Sequence, residues 1–201
     1  MPKFILIRKK IDTFKRNTLS IPGDKSISIR FILLSSLTKG KCVAYNILNS
    51  QDVNSAIKSI RKLGIKINLK KSYCEVYGRG LFGFKYKKNL ILDAGNSGTT
   101  ARLICSTLID AEYPIKIIGD KSLRSRDMER IIKPLKLFGV KFRDNNGKLP
   151  LSIKGTKFTK AINFTENLGS AQCKSAVMIA ALKTNGTTKI KSLPSRNHTE
   201  L

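Results

Sequence analysis

An internal repeat is the feature that most restricts how this chain can fold. A segment rich in Gly, Ser, Thr and Asn runs into an apolar stretch three times, at Gly23, Gly95 and Gly169. The first two glycines lie 72 residues apart and the next two 74. A second element recurs at nearly the same spacing: Asp52 and Asp127, 75 residues apart, each precede an amphipathic stretch. Self-similarity at a fixed spacing predicts a fold built from copies of one unit.

Each unit is predicted to contain an apolar helix and then an amphipathic helix. The Gly- and Ser-rich segment suits a helix start, since Ser, Thr, Asn and Asp cap helix N-termini. The second helix is indicated by apolar residues three or four apart, such as Val53, Ile57 and Ile60. Gly64 and Gly139 suit the C-terminal ends of these second helices.

Strands are predicted between and after the helices. Short strands are expected at residues 41–48, 114–118 and 188–191, and a strand pair such as 65–69 with 73–77 closes a unit. The order is then βαβαββ. Units of this kind share a core when their helices face inward and their sheets face outward. We therefore expect an α/β (α+β) fold, an inside-out α/β barrel of repeated βαβαββ units.

The charge of the chain is strongly positive, with 39 Lys and Arg against 13 Asp and Glu, a net +26. Such a surplus attracts nucleic acid, acidic membranes or phosphorylated metabolites. The basic residues are spread along the chain, and the abundance of Lys with Ile and Asn is also what a biased genome composition gives. An RNA-binding module would need exposed aromatic side chains. Trp is absent, and Phe and Tyr fall mainly in apolar strand patterns.

The cysteines and the apolar runs point to a cytoplasmic protein. Cys42, Cys74, Cys105 and Cys173 are far apart and form no C-x-x-C pair, so neither a zinc site nor a redox motif is indicated. They are predicted to be buried, reduced thiols. The first ten residues hold too short an apolar run for a signal peptide, and nothing approaches the ~20 apolar residues of a membrane span.

The three helix starts, here called the first, second and third openings, have the composition of anion sites. They comprise residues 23–26, 95–100 and 169–172. A helix N-terminus carries unpaired N–H groups and a partial positive charge. Arg30 adds a full charge to the first opening and Arg102 to the second, whereas the third offers a hydroxyl and an amide. One such segment alone is ordinary helix capping, but three in register predict a common phosphate site.

Five ordered motifs resemble those of the 5-enolpyruvylshikimate-3-phosphate (EPSP) synthase family. The resemblance runs from about Leu19 to Leu201. Its last two motifs are similar to the family branch with Ser-Ala-Gln and Arg-Asp-His-Thr-Glu. The motifs are Pro-Gly-Asp-Lys-Ser with a following Arg at 22–30, Asn-Ser-Gly-Thr with a following Arg at 96–102, and the segments 119–126, 170–176 and 196–200.

The resemblance implies a fold, an activity and a cellular setting. The fold would be enolpyruvyl transferase-like. The enzyme, 3-phosphoshikimate 1-carboxyvinyltransferase, would transfer the enolpyruvyl group of phosphoenolpyruvate to the 5-hydroxyl of shikimate 3-phosphate and release phosphate. This step belongs to the shikimate pathway of chorismate and aromatic amino acid biosynthesis and is the target of glyphosate. No metal or organic cofactor is implied, and the full-length enzyme would be a cytoplasmic monomer.

The family's site residues carry over onto matching positions of this chain. Lys25 would be catalytic and would contact both substrates. The residues implied for shikimate 3-phosphate are Lys25, Ser26, Arg30, Ser170, Ala171, Gln172 and Arg196. Those implied for phosphoenolpyruvate are Lys25, Asn96, Gly98, Thr99, Arg126 and Gln172.

Some residues near these motifs have two interpretations. Arg124 lies two residues from Arg126, but the motif register favours Arg126 as the ligand. Arg102 is favoured as a supporting residue rather than a ligand. His198, the only histidine, invites an acid–base role but is favoured as a capping or structural residue. Asp52 and Asp127 are expected to cap the second helices.

Two positions depart from the family pattern. Asp127 follows Arg126 where the family usually has Pro, which questions the rigidity of that loop. Gly98 is the small residue associated with glyphosate sensitivity, whereas the branch with Ser-Ala-Gln has Ala there. Sensitivity to glyphosate is therefore a hypothesis.

The resemblance also predicts a domain arrangement. Residues 1–18 would pack with a C-terminal domain that lies beyond this sequence and supplies catalytic Asp, Glu and Lys. Residues 19–201 would form the N-terminal domain, with its third unit cut off at Leu201. We expect no turnover by this chain alone.

Three alternatives to a complete EPSP synthase remain open at this point. One is the sister transferase that acts on UDP-N-acetylglucosamine, which uses a reactive Cys in a mobile loop; residues 110–126 hold no Cys. Another is a non-enzymatic RNA-binding domain. The third is a degenerate chain or a split subunit that needs a C-terminal partner.

Overall fold

A computed structural model describes residues 21–71 and 73–195. Its helices are α1 (Lys25–Ser36), α2 (Gln51–Lys62), α3 (Gly98–Thr107), α4 (Lys121–Arg124), α5 (Glu129–Leu137) and α6 (Ala171–Ala181). Its strands are β1 (Lys39–Tyr45), β2 (Lys66–Leu69), β3 (Tyr73–Arg79), β4 (Ile91–Asp93), β5 (Ile115–Ile118), β6 (Lys141–Asn145), β7 (Lys148–Lys154), β8 (Asn163–Glu166) and β9 (Lys189–Ser192).

The second unit shows the repeat in full. Its main elements run β4, α3, β5, α5, β6, β7, which is the predicted βαβαββ order. Its sheet has the strand order β4-β5-β7-β6, with β4 parallel to β5 and the other pairs antiparallel. The first unit matches the later part of this sheet with the order β1-β3-β2, and the third matches its start with β8 parallel to β9. The predicted repeat is confirmed.

The helices lie inside and the sheets outside, as expected for an inside-out α/β fold. α3 packs against α1, α2 and α6, and every one of its residues is buried. α1 also packs on α2, and α6 on α5. Apolar side chains from these helices and from the inner faces of the sheets form one continuous core. The N-termini of α1, α3 and α6 therefore belong to helices that pack directly on one another.

Glycines end the second helices as predicted. Gly64 and Gly139 follow the C-terminal residues of α2 and α5 with φ of +86° and +97°. Gly adopts this left-handed backbone without the steric penalty of a Cβ. β1 ends earlier than the predicted residue 48, because Asn46 turns the chain with φ +54°. The four-residue helix α4, capped by the Asp120 side chain, was not predicted.

The cysteines and the outer surface differ in part from expectation. All four cysteines are free thiols; Cys74, Cys105 and Cys173 are buried as predicted, but Cys42 is only partly buried. Burial raises the pKa of the Cys105 thiol to about 12. Tyr45 is largely exposed, so the aromatic residues do not all pack inside.

Within the described ranges, no helix is long and apolar enough to cross a membrane. The segment 1–18 lies outside the described residues.

Candidate anion-binding site

Each opening is capped by its own side chain. Asp24 Oδ1 accepts a hydrogen bond from Ile27 N at 2.8 Å. Ser97 Oγ accepts from Thr100 N at 3.2 Å, and Ser170 Oγ accepts from Cys173 N at 3.3 Å. Ordinary helix capping, which is the simplest explanation of a Gly- and Ser-rich helix start, is therefore present in all three openings. One side chain satisfies one of the roughly four orphan N–H groups of a helix start, so capping leaves donors for an anion.

A hollow of about 630 Å³ lies between the N-terminal halves of α1 and α6. We call it the α1–α6 hollow. It brings together five residues predicted to bind shikimate 3-phosphate: Ser26 and Arg30 from α1, and Ser170, Ala171 and Gln172 from the third opening. Its lining is completed by Arg130 and by residues 167–169 and 193–195.

Arg30 connects the two helices that border the α1–α6 hollow. Its Nη2 donates to Ser175 Oγ of α6 at 3.0 Å, and its Nη1 to Ser26 O at 3.4 Å. Burial lowers the pKa of the Arg30 guanidinium, and the charge of Asp24 opposes that shift. An arginine stays charged despite such a shift. Arg30 therefore places a positive charge at the wall of the hollow.

Lys25 is not among the residues that line the α1–α6 hollow. Its Nζ forms an ion pair with Asp52 Oδ2 at 3.1 Å, and half of its side chain is exposed. The Asp52 carbonyl in turn accepts a bond from Thr100 Oγ1 at 3.4 Å. Lys25 thus lies near the N-termini of α2 and α3, on the same side of the helix cluster as the hollow, but its ammonium is held by a carboxylate.

Asn96, Gly98 and Arg126 lie together beside the second opening. Arg126 Nη2 donates to Asn96 Oδ1 at 2.9 Å. The Asn96 amide donates to Asp120 Oδ2 at 2.6 Å, and this bond, with the one from Leu123 N, lowers the pKa of the Asp120 carboxyl. A Cβ added to Gly98 would stand 3.3 Å from Arg126 Nη1. The small residue at 98 therefore lets the guanidinium approach the helix start.

Arg102 connects the second and third openings. The residue is only 9% exposed. Its Nη1 donates to Gln172 Oε1 at 2.6 Å and its Nη2 to Asp127 O at 2.8 Å. Gln172 Nε2 donates to Thr99 Oγ1 at 3.0 Å. Both polar ends of the Gln172 amide are thus engaged, and its orientation is fixed. Burial lowers the pKa of Arg102, and the nearby charge of Arg130 lowers it further.

The two arginines of the 119–126 segment have different contacts. Arg124 Nε donates to the Gly119 carbonyl at 2.9 Å, whereas Arg126 reaches the second opening. This placement is the one expected if Arg126 is the ligand, although the role itself stays a prediction. Arg196 and His198 lie outside the described residues.

The prediction that Asp52 and Asp127 cap the second helices is wrong. Ser50 caps α2, and Asp52 lies in the first turn. Met128 stands at the N-cap of α5 and makes no side-chain bond. Asp127 lies one residue earlier, where its Oδ1 accepts from Glu129 N at 2.8 Å. The Asp127 carbonyl also accepts a bond from Arg102. Hydrogen bonds therefore hold this loop, in which Asp127 stands where the family pattern has Pro.

Sequence reasoning missed Glu166 and Arg130. Glu166, 3% exposed, accepts bonds from Leu168 N at 2.9 Å and Ser170 N at 3.1 Å and so shapes the third opening. Asp93 does the same for Gly95 N at 2.8 Å in the second unit. An acid two or three residues before the glycines of the second and third openings, Gly95 and Gly169, was the available signal. Arg130 resembled an ordinary surface charge of an amphipathic helix.

The arrangement is suited to binding a phosphate ester. Two guanidinium groups, a helix N-terminus and several hydroxyl groups meet around one hollow. Hydrogen bonds between charged partners are shorter and about twice as strong as neutral ones. A further arginine, Arg102, binds the lining residue Gln172, and Arg126 lies at the second opening. The arrangement can therefore offer several cationic and hydroxyl donors to one anion.

Comparisons with known proteins find one matching family and a matching fold. The family model of EPSP synthase (3-phosphoshikimate 1-carboxyvinyltransferase) matches residues 12–201. The 3-phosphoshikimate 1-carboxyvinyltransferases of Streptococcus mutans and Ruthia magnifica are each 43% identical, over 91% and 90% of this chain. EPSP synthase from Acinetobacter baumannii superposes with a TM-score of 0.83 at 34% identity over 90% of the chain. The chain spans only 42–43% of the length of these proteins.

Proposed function

Because this chain belongs to the EPSP synthase family, we propose that it forms the shikimate 3-phosphate-binding part of a 3-phosphoshikimate 1-carboxyvinyltransferase. The observation that carries the proposal is the α1–α6 hollow, where residues of the first and third openings meet. The UDP-sugar transferase and the RNA-binding domain are not favoured, since the family model and the curated relatives name a different enzyme.

Shikimate 3-phosphate would occupy the α1–α6 hollow. Arg30 would pair with its phosphate, and Ser26 and Ser170 would add hydroxyl donors. Gln172 would orient the ring with the amide that Arg102 and Thr99 hold. Each charge-assisted hydrogen bond is worth roughly 1.5–3 kcal/mol. Ala171 and Arg196 complete the set that the family resemblance implies.

Phosphoenolpyruvate would lie beside the second opening. Arg126 would bind one of its anionic groups, with Asn96 holding the guanidinium. Gly98 lets Arg126 come close because it has no side chain, and Thr99 and Gln172, which contact each other, would lie between the two substrate positions. The two ligands would therefore be adjacent, as transfer between them requires.

The rate enhancement would come mainly from positioning and electrostatics. The 5-hydroxyl of shikimate 3-phosphate gives up its proton and attacks C2 of phosphoenolpyruvate, whose methylene carbon takes up a proton. The tetrahedral adduct then loses phosphate together with a proton of the new methyl group, which restores the enolpyruvyl double bond. Fixed cationic groups offset the repulsion between the two substrates and stabilise charge that develops in the transition state. Lys25 would join them once a substrate anion competes successfully with Asp52 for its ammonium.

The remaining catalytic groups would come from the part of the relatives that this chain does not match. We therefore expect substrate binding without turnover from residues 1–201 alone. The complete enzyme would act in the cytoplasm as a monomer, and Gly98 would make it sensitive to glyphosate. Purified residues 1–201 should release no phosphate above background in a coupled assay.

Calorimetric titration of the 201-residue chain tests the binding proposal. Shikimate 3-phosphate should bind with a 1:1 stoichiometry, and unphosphorylated shikimate should bind at least about tenfold more weakly, because it lacks the charge that Arg30 would pair with. UDP-N-acetylglucosamine should give no saturable heat. Equal affinity for shikimate and its phosphate, or no binding of either, would contradict the proposal.

A further inference from the structure

Arg130 faces the same cavity as the residues assigned to the phosphate ester. It lies in the first turns of α5, and together with Arg30 and Ser170 it lines the α1–α6 hollow. The hollow is thus bordered by three different helices, each of which supplies a polar group. Neither the repeat nor the family motifs pointed to this arginine.

The charge of Arg130 is partly engaged by a neighbouring acid. Among the residues that the structure describes, Arg130 makes one side-chain hydrogen bond, from Nε to Asp127 Oδ2 at 3.4 Å. That distance is long for such a bond, and both side chains are more than a third exposed. Ion pairs of this kind contribute little to stability. Contacts through Nε leave the two Nη groups as donors for a second partner.

Asp127 is held in place independently of this pair. Its Oδ1 accepts from Glu129 N at 2.8 Å, and its carbonyl accepts from Arg102 Nη2 at 2.8 Å. The Asp127 carboxylate is therefore a fixed negative charge beside an arginine of the hollow.

We propose that Arg130 is a further phosphate-binding residue of the α1–α6 hollow and that Asp127 weakens its hold on the ligand. Bound shikimate 3-phosphate would take bidentate bonds from the Nη groups of Arg130, opposite Arg30. The carboxylate of Asp127 partly neutralises the same guanidinium and repels the incoming phosphate. The inference rests on the proposed function and adds a residue and a tuning charge to that site.

Three single substitutions in the 201-residue chain test the inference by calorimetry. Arg130→Gln should lower the affinity for shikimate 3-phosphate about tenfold to a hundredfold, because charge-assisted bonds are lost. It should leave the weak affinity for unphosphorylated shikimate unchanged. Asp127→Asn should raise the affinity for shikimate 3-phosphate about threefold or more, since Asn keeps the acceptor for Glu129 N but has no charge.

Lys133→Gln is the matched control. Lys133 also lies on α5 and pairs with an acid, Glu129, at 3.5 Å, but it is not a lining residue of the hollow. Its substitution removes the same unit of charge from the same helix. The affinity for shikimate 3-phosphate should stay within about twofold of the unmodified chain. Denaturation midpoints of all variants establish that each one folds.

The outcomes separate this inference from the function on which it rests. If shikimate 3-phosphate binds and Arg130→Gln changes its affinity by less than twofold, or Asp127→Asn weakens binding, the inference is overturned while the function stands. If shikimate 3-phosphate does not bind, the function is overturned, and titration with inorganic phosphate decides the inference. If inorganic phosphate then binds and Arg130→Gln weakens its binding, the inference on Arg130 is supported. If inorganic phosphate does not bind, or binds equally well to Arg130→Gln, the inference is overturned.

Discussion

The second and third openings share a sequence pattern but lie in opposite environments. In the second, Ser97, Thr100 and Arg102 are buried, and their side chains bind one another or neighbouring chain segments, with Arg102 Nε the exception among the described residues. In the third, residues 170–172 are only partly buried and border the α1–α6 hollow. One pattern has produced an internal polar network and also the wall of an open cavity.

The difference follows from where each helix lies. α3 is surrounded by α1, α2 and α6, so residues 97–100 at its start are buried and only Gly95 and Asn96 of the second opening stay accessible from one side. α6 has packed neighbours in α3 and α5, and its start remains beside the hollow. A Gly- and Ser-rich helix start therefore becomes an anion site only where its neighbours leave space. Substitutions in the two openings should separate stability from binding.

Arg102→Met should have the largest effect on stability. It removes the two donors that satisfy Gln172 Oε1 and the Asp127 carbonyl, and the arginine that supplies them is itself buried. We expect the free energy of unfolding to fall by about 3 kcal/mol, because two charged hydrogen bonds are lost and their acceptors are left without these donors. Urea denaturation measures this. A fall below about 1 kcal/mol would mean that the network does not stabilise the second opening.

Arg30→Gln should weaken ligand binding and leave stability almost unchanged, in contrast to Arg102→Met. Arg30 is half-buried and makes one strong side-chain contact, to Ser175, so the free energy of unfolding should change by less than about 1 kcal/mol. The affinity for shikimate 3-phosphate should fall at least about tenfold. Arg143→Gln, on β6 and outside the hollow, removes the same charge and should leave the affinity unchanged. Equal losses of affinity from Arg30→Gln and Arg143→Gln would indicate that the net charge of the chain, rather than a specific contact, attracts shikimate 3-phosphate.

Glu166→Gln should have a moderate effect. An amide offers one acceptor oxygen where the carboxylate gave two, so either Leu168 N or Ser170 N loses its partner. Thermal and urea denaturation should show a loss of about 1–2 kcal/mol. Asp93→Asn is the matched change in the second unit. Asp93 is exposed, and among the described residues its carboxylate accepts a bond from Gly95 N alone, so this change should cost less than about 0.5 kcal/mol. A larger loss of stability from Asp93→Asn than from Glu166→Gln would show that the third opening does not depend on its buried acid.

Gly98→Ala should have the smallest effect. The new Cβ would stand 3.3 Å from Arg126 Nη1 and 3.4 Å from Arg102 Nη1, so these groups must move by a few tenths of an ångström. Ala favours the helix and offsets part of that cost, and the free energy of unfolding should change by less than about 1 kcal/mol. The NMR signal of the Asn96 side-chain amide should shift as Arg126 moves, while the affinity for shikimate 3-phosphate stays within twofold. An unmoved Asn96 signal would show that Gly98 does not control the position of Arg126.

The sequence predicts most of the architecture because its signals are local and repeated. Helix caps, the terminal glycines Gly64 and Gly139 and the apolar periodicities each depend on a few neighbouring residues. Three copies of the same arrangement then restrict how the units can share a core. The strand ends were less accurate, since β1 stops where Asn46 takes a left-handed backbone.

Tertiary partners explain what the sequence could not predict about the site. Arg102 and its partner Gln172 are 70 residues apart, and no local pattern indicates that the two meet. Lys25 is held by Asp52, an acid expected only to cap a helix. Arg130 was hidden because a basic residue on an amphipathic helix usually faces solvent. Each depends on which helices pack together, which the repeat restricts but does not specify.

NMR titration of the isotopically labelled chain with shikimate 3-phosphate shows whether the first and third openings form one anion site. If they do, the backbone amide signals of Ser26, Arg30 and residues 170–172 shift together along a single binding curve, while the amide signals of the lysine-rich strands of the outer sheets do not change. Shifts that spread over the outer strands, or separate affinities for the two openings, would contradict a single anion site.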